Sequence, residues 1–486
     1  MFTIRGSLVR KAIAVAVAFA LTACSTLPHY SQPQTAVPDH FASTSQASAG
    51  WSLAAPADAQ TRGPWWTLFG DDELNQLEAQ VDVSNQTVQK AVTQLEAARA
   101  LVDYQRAGYA PVVTAGASAQ RYRTSQNVVH KGLAGHTVPD FSAGLAASWE
   151  PDLFGRVKDA AVNARDNAQA SEADLQSVRL SVATDLAIDY FNLRSLDRQK
   201  KLLDDTVTAY AAALRIVQQQ LKDGAIDASA VAQAQTQLES TRSQDSDIDV
   251  QRAQLEHAIA TLIGKPASSF SLPPKVQTTA LPQIPAGVPS QLLERRPDIA
   301  AAERRVAAAN AQIGQAHAAF YPNLTLSATA GLESSYFAPW LTASSLFWSL
   351  GSQIAGTLFD GGRRDAVLKN ATAQYDGTVA DYRQTVLVAF QQVEDQLSSL
   401  NTLASEADSQ QRATAAADLS LKLTTNRYQA GAVNYLDVVT AQTIALSNER
   451  TAEQIGARRI DASVQLLKAL GGGWDRSALT DAAATD

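Results

Sequence analysis

The chain has 486 residues, 45% of them hydrophobic but only 7% aromatic, and carries a formal net charge of −8. The surplus of acid excludes the electrostatic footprint of a nucleic-acid partner, and a single cysteine excludes any intrachain disulfide. Alanine supplies much of the apolar share, which favours long, closely packed helices over a bulky globular core.

The first 23 residues read as an export signal. Arg5, Arg10 and Lys11 precede an apolar run from Ala12 to Leu21, and no acid occurs before Cys24. That run is shorter than the roughly 20 residues a bilayer-spanning helix needs. Leu21-Thr22-Ala23-Cys24 resembles the bacterial lipobox, whose cysteine is alkylated with diacylglycerol and then acylated on its new amino terminus. Several acyl chains on one residue make a stable anchor. Ser25 is not the aspartate that retains lipoproteins in the inner membrane, so the resemblance implies sorting to the outer one. Cleavage removes three positive charges and takes the net charge from −8 to −11.

Residues 24–70 then form an extended N-terminal segment, followed by a duplicated unit: 71–264 and 297–473. Three anchors recur in the same order. The stretch Ala107 to Ala115 around Pro111 matches Ala318 to Leu326 around Pro322, Leu153-Phe154-Gly155 matches Leu358-Phe359 and the glycines after it, and Gly224-Ala225-Ile226-Asp227 matches Gly431-Ala432-Val433-Asn434. A repeat of about 200 residues is a tandem fold and not a short-repeat solenoid.

Each unit reads helix, strand, strand, long helix, helix. Leu324, Leu326, Ala328, Ala330 and Leu332 alternate with Asn323, Thr325, Ser327, Thr329 and Gly331, and Leu346, Trp348, Leu350, Ile354 and Leu358 continue the theme. In the first unit Phe141, Ala143, Leu145, Ala147 and Trp149 alternate with small or polar residues. Period two gives each strand one apolar and one polar face. About 10 residues is also the length of a tilted membrane strand, with Trp149, Trp340 and Trp348 as candidates for interfacial belts.

No proline interrupts Arg156–Lys222 or Arg363–Gln429. Leu193, Leu196, Leu203, Val207, Tyr210, Leu214, Val217 and Leu221 recur at helical spacing, predicting a coiled-coil seam of about four heptads. A helix of roughly 65 residues extends about 100 Å, longer than any bilayer is thick. Gly224 and Gly431 end these helices and Asp227 and Asn434 cap the next ones, so each turns back as a hairpin. Prolines between 266 and 289 mark a linker, assigned to 265–296, and residues 474–486 form a tail.

Four candidate membrane strands cannot stand alone in lipid, because the sheet edges carry unpaired amides. Two, three or four copies would close barrels of eight, twelve or sixteen strands, and counting does not choose among them.

Trp65-Trp66, the run Phe69-Gly-Asp-Asp-Glu-Leu74, Arg295-Arg-Pro-Asp-Ile299, Gln315 to Pro322, Leu358-Phe-Asp-Gly-Gly362 and Arg427-Tyr-Gln-Ala-Gly431 together resemble the TolC-type outer-membrane efflux channels, in their OprM-like and NodT-like lipoprotein branch. The resemblance runs from Cys24 to about Gly473. It implies a mainly α fold with a membrane β-barrel: a homotrimer with a twelve-stranded barrel and a long α-helical periplasmic barrel. It also implies docking to a periplasmic adaptor protein and, through it, to an inner-membrane pump. In that fold the helices near 84–108 and 226–264 stack end to end beside a long one. The resemblance further places a gate at the second hairpin. Tyr428 matches the family's constricting tyrosine and Asp437 an acid of some relatives; Leu436 lies beside it, and Thr440 stands where another aspartate is common. Asp437 is also the third residue after the cap Asn434, where a carboxylate favours a helix start.

Enzymatic chemistry finds no footing. The six histidines are scattered, Gly361-Gly362 lacks the residues of a phosphate loop, and acid pairs such as Asp71-Asp72 and Asp204-Asp205 read as solvated helix ends. Neither metal nor cofactor is expected beyond the lipid on Cys24. Met1 is the only methionine, which speaks against a dedicated copper or silver route. The competing class is a lipoprotein coiled-coil scaffold or adhesin that conducts nothing.

Overall fold

The computed structural model describes residues 30–35, 37–38, 41–42, 64–127, 135–282, 284 and 295–473. A 3₁₀ turn, Trp65–Phe69, leads into α1 (Asp72–Ser84) and α2 (Gln86–Arg106), then β1 (Val112–Arg123), β2 (Thr137–Trp149), α3 (Arg156–Lys222) and α4 (Ala228–Leu262). The second unit is α5 (Pro297–Ala318), β3 (Asn323–Ser334), β4 (Leu346–Ala355), α6 (Arg363–Gln429) and α7 (Tyr435–Ala469). The long helices α3 and α6 both have 67 residues, and α4 and α7 both have 35. In each pair the two helices begin 207 residues apart, at Arg156 and Arg363 and at Ala228 and Tyr435. The duplication read from the sequence is therefore a duplication of structure.

Three details differ from expectation. The helix before β1 is broken at Asn85, whose side chain accepts from the amides of Thr87 and Val88 and restarts it as α2. Strand β4 ends at Ala355, so Leu358 lies in the connection to α6, where it is 99% exposed. Along the α3 seam Leu193, Leu196, Leu203, Tyr210 and Val217 are buried, but Val207 and Leu214 only half so, and Leu221 is exposed.

The short helices stack into two columns. Asn85 donates from Nδ2 to the Leu262 carbonyl at 2.7 Å, joining the end of α4 to the start of α2. Arg296 donates to the Ala469 carbonyl at 3.1 Å and does the same for α7 and α5. A Cβ on Gly264 would lie 2.2 Å from the Ser84 carbonyl oxygen, and one on Gly471 would lie 2.1 Å from that of Arg295. Both glycines also have positive φ, so no other residue fits either joint.

Helix α3 packs between the α2/α4 column and the α5/α7 column, while among the described residues α6 packs mainly on α5/α7. The main core sits where the columns meet, around Leu186, Phe191, Ile259, Val306, Tyr382 and Val464. Beside it the chain after α4 is tied down by a buried ionic network. Arg194 donates to Asp197 at 2.7 Å, to Glu73 at 2.8 Å and to the Pro273 carbonyl at 2.9 Å. Arg252 donates to the other oxygen of Asp197 at 2.8 Å, and Arg198 holds the Gln277 carbonyl at 2.9 Å. Asp71, expected in solvent, is 3% exposed. It caps α1 and accepts from Tyr190 at 2.9 Å.

Candidate functional site

The strands form one antiparallel sheet in the order β1-β2-β3-β4. Register places Ala115, Leu145, Ala330 and Trp348 in one cross-sheet row, and Ser118 opposite Ser142 on the other face. The apolar face carries the alternating residues read from the sequence. On the polar face the Ser118 and Ser142 hydroxyls are 2.8 Å apart, Gln120 donates to Asp140 at 2.8 Å, and the Thr329 and Ser349 hydroxyls are 2.7 Å apart. One greasy and one hydrogen-bonding face is the patterning of a sheet with lipid on one side and water on the other. Its outer edges, on β1 and β4, have no strand partner among the described residues. Trp149 donates to the Tyr109 carbonyl at the helix-joined end, and Trp340 donates to the Leu332 carbonyl at the opposite end. Trp348 lies on the apolar face near that second end, 71% exposed.

The long helices are equally long but unequally covered. On α3, Asp159, Asp166, Gln169 and Ala173 are buried against the second unit, whereas their counterparts on α6, Ala366, Ala373, Asp376 and Ala380, are all exposed. The connection ahead of α6 repeats the contrast. Phe154 stacks on Tyr321 at 4.9 Å, while its counterpart Phe359 is 89% exposed. One flank of α6 has nothing against it among the described residues.

At the far end from the sheet, the two hairpins turn at Gly224 and Gly431, both with φ +72°. The tips share a backbone and differ in side chains: Tyr428, Tyr435, Leu436 and Asp437 stand where the first unit has Leu221, Ala228, Ser229 and Ala230. Tyr428 donates to Gln220 Oε1 at 2.6 Å, tying α6 to α3, and lies edge-on to Tyr435 at 5.4 Å. Burial pushes the Tyr435 phenol up to about 12, with Tyr428 and Tyr210 adding to the effect. Tyr435 escaped the sequence reading, although an aromatic directly after a helix cap was a visible signal, and Tyr210 was read there only as a residue of the seam. Asn434 and Asp437 form a reciprocal capping box, with Asp437 N–H donating to Asn434 at 3.0 Å and Asn434 N–H to the Asp437 carboxylate at 3.3 Å. Thr440 spends its hydroxyl on the Leu436 carbonyl at 2.8 Å. Leu436, 51% exposed, presents an apolar side chain to solvent at the tip.

Cys24 lies outside the described residues. Among those described, no group of three or more metal-capable side chains occurs, and no helix is long and apolar enough to cross a membrane.

Residues 79–265 and 288–472 match the family model for outer membrane efflux proteins. The chain is similar to the cation efflux system protein CusC of Escherichia coli O6:H1, 32% identical over 96% of this chain and 99% of that one. It is equally similar, at 32% over 95% of each chain, to the outer membrane protein OprJ of Pseudomonas aeruginosa. Among solved structures the outer-membrane channel OprN superimposes with a TM-score of 0.84 at 29% identity, covering 92% of this chain and 99% of that one.

Proposed function

The chain belongs to the outer membrane efflux protein family and is an efflux duct of the outer membrane; on that premise we propose that three copies close one duct, lipid-anchored through Cys24 and loaded from the periplasm. The observation that carries the reading is the flank of α6, exposed at the positions where α3 is buried. Inside the chain α3 passes from one column to the next, and α6 would do the same if its free flank took the α2/α4 column of a neighbouring copy. Likewise β2 pairs with β3 across the two units, and the free edge of β4 would pair with β1 of that neighbour. Head-to-tail contacts of this kind generate rings when the rotation closes. Four strands from each of three copies make a barrel with its polar rows inside and its apolar rows in lipid.

Six long helices alternating with six stacked columns, two of each from each copy, would then line a tunnel of about 100 Å, matching 67 residues at 1.5 Å each. Its mouth is the ring of Gly224 and Gly431 tips, the surface offered to a periplasmic adaptor that couples the duct to an inner-membrane pump. Tyr428, Leu436, Asp437 and Thr440 would form the aperture there, with Tyr428 held to Gln220 in the state described. The cargo is a small molecule such as a drug or other toxic compound. With Met1 the only methionine and Cys24 the only cysteine, the wall offers no ladder of soft ligands for a copper or silver ion.

The test is conductance with mass. Purified protein in a planar bilayer should open discrete channels, and its detergent-corrected mass by light scattering should be three times that of the mature chain. A trimer without channels would favour the scaffold reading, and a monomer with full strand content would defeat the closure. Intact mass of membrane-extracted protein should show a chain beginning at residue 24 with acyl mass; a free thiol there would refute the anchor.

A further inference from the structure

Within one chain the seam between α3 and α5 has a definite register. Asn163 donates from Nδ2 to the Ala308 carbonyl at 2.7 Å, Arg305 pairs with Asp174, and Ala173 packs on Ala300 and Ala301, all three buried. Moving α3 onto α6 by 207 residues and α5 onto α2 by 211, the separation of Pro111 and Pro322, gives the matching positions on the free flanks. Asn163 becomes Asn370 and Ala308 becomes Ala97, so the side chain and the backbone carbonyl are both retained. Asp174 becomes Asp381, but Arg305 becomes Gln94 and the buried Ala301 becomes Lys90, one turn away. Asn370, Asp381, Lys90 and Ala97 are all exposed, and neither Asp381 nor Lys90 makes an ion pair among the described residues.

We propose that Lys90 of one copy pairs with Asp381 of the next, with Asn370 on the Ala97 carbonyl, so that the seam between copies is ionic where the seam inside the chain is a buried alanine contact. This rests on the ring closure proposed above. The two helices run antiparallel in the internal seam, and Lys90 falls beside Ala380 and Asp381 when that register is copied. The cation has moved from position 305 to the place of Ala301, and the acid has stayed. Such a pair steers neighbouring copies into register as well as holding them, and it weakens as salt screens it.

The experiment is a charge swap in the full chain, read as the temperature at which the detergent-solubilised oligomer dissociates, at low and high salt. Lys90→Asp and Asp381→Lys should each lower that temperature by a few degrees, and the double variant should recover most of the loss. High salt should shrink the differences. Additive losses in the double variant would overturn the pairing, because uncoupled charges do not rescue one another. Cysteine pairs test the register separately. Asn370→Cys with Ala97→Cys should give an oxidised ladder of linked chains, and Asn370→Cys with Gln105→Cys should not; each single variant controls for Cys24. If the wild type has three times the chain mass but neither result appears, this seam is wrong while the ring stands. If the wild type is a monomer, the ring reading itself has failed.

Discussion

Helices α3 and α6 are the same length, descend from one duplicated unit and make the same hairpin, yet 25 residues of α3 are buried against nine of α6. The difference is one of neighbours and not of helix-forming sequence. Among the described residues, α3 is walled on both sides by its own chain and α6 on one side. The polar residues follow suit. Helix α3 holds Arg194, 1% exposed, between Asp197 and Glu73, whereas the counterpart on α6 is Asn401. A helix sealed by its own chain accommodates a buried ion network; in the proposed ring α6 would take its second wall from another copy.

The strongest way to break that contrast is to unseal α3. Arg194→Ala leaves Glu73 without its closest cation and Asp197 with Arg252 and the Lys275 N–H. Stranding buried charge costs about 3–5 kcal/mol, here toward the lower end because Arg252 remains. Urea unfolding followed by helical circular dichroism should show the loss, and an unchanged midpoint would mean that the network does not seal the wall.

A second change works in the opposite direction. Glu78 on α1 is 3% exposed, with neither carboxylate oxygen hydrogen-bonded among the described residues, and burial, helped by Asp82, pushes its pKa from 4.5 up to about 9. The folded protein therefore keeps it neutral while the unfolded chain ionises. The stability of the neutral form is fully present below 4.5 and is lost as pH rises toward 9. Glu78→Gln should accordingly be more stable than wild type at pH 8, with a gap that narrows steadily toward pH 5. A gap independent of pH would show that Glu78 is not a buried acid.

A matched pair sharpens the comparison further. Ala173 is fully buried and its counterpart Ala380 exposed. Overpacking by Ala173→Leu should cost about 1–3 kcal/mol of protomer stability. Ala380→Leu should leave the fold of the protomer alone and lower the trimer fraction in light scattering. Equal effects on both readouts would erase the distinction between an internal and an external seam.

What the sequence made legible follows the same division. The bounds of α3 and α6, the strand faces and the hairpin turns depend on local period and on Gly224, Gly431, Asp227 and Asn434, so they are readable from short windows. The burial of Asp71 depends on Tyr190, 119 residues away, and the role of Arg194 depends on Pro273, 79 residues away. No periodicity reports such meetings. Leu358 continued an apolar alternation into a stretch where Asp360 draws Arg364 and the amide of Gly362 into a turn at the start of α6. At the tip, the tyrosine and the cap were both legible as types, but not that Tyr428 would spend its hydroxyl on Gln220.

The smallest expected effect is also the most informative about function. Asp437 lies at the third position of α7, where its carboxylate accepts from Asn434 N–H, and the first unit starts the equivalent helix with Ala230 at that place. There Asp227 alone caps, accepting from Ser229 at 2.8 Å and from Ala230 at 3.4 Å. One hairpin thus manages without the second half of the box, so helix initiation by itself does not require an acid at 437. A carboxylate at a helix start contributes about 0.3–1 kcal/mol, and Asp437→Ala should reduce stability by no more than that. In the trimer, though, three such carboxylates beside Tyr428 and Leu436 would ring the mouth and favour cations. Asp437→Ala should then raise single-channel conductance and lower cation selectivity in a salt gradient, while Ala230→Asp in the first hairpin should push selectivity the other way. A small stability loss with conductance and selectivity at wild-type values would leave Asp437 a cap and nothing more, and would shift the aperture onto Tyr428 and Leu436.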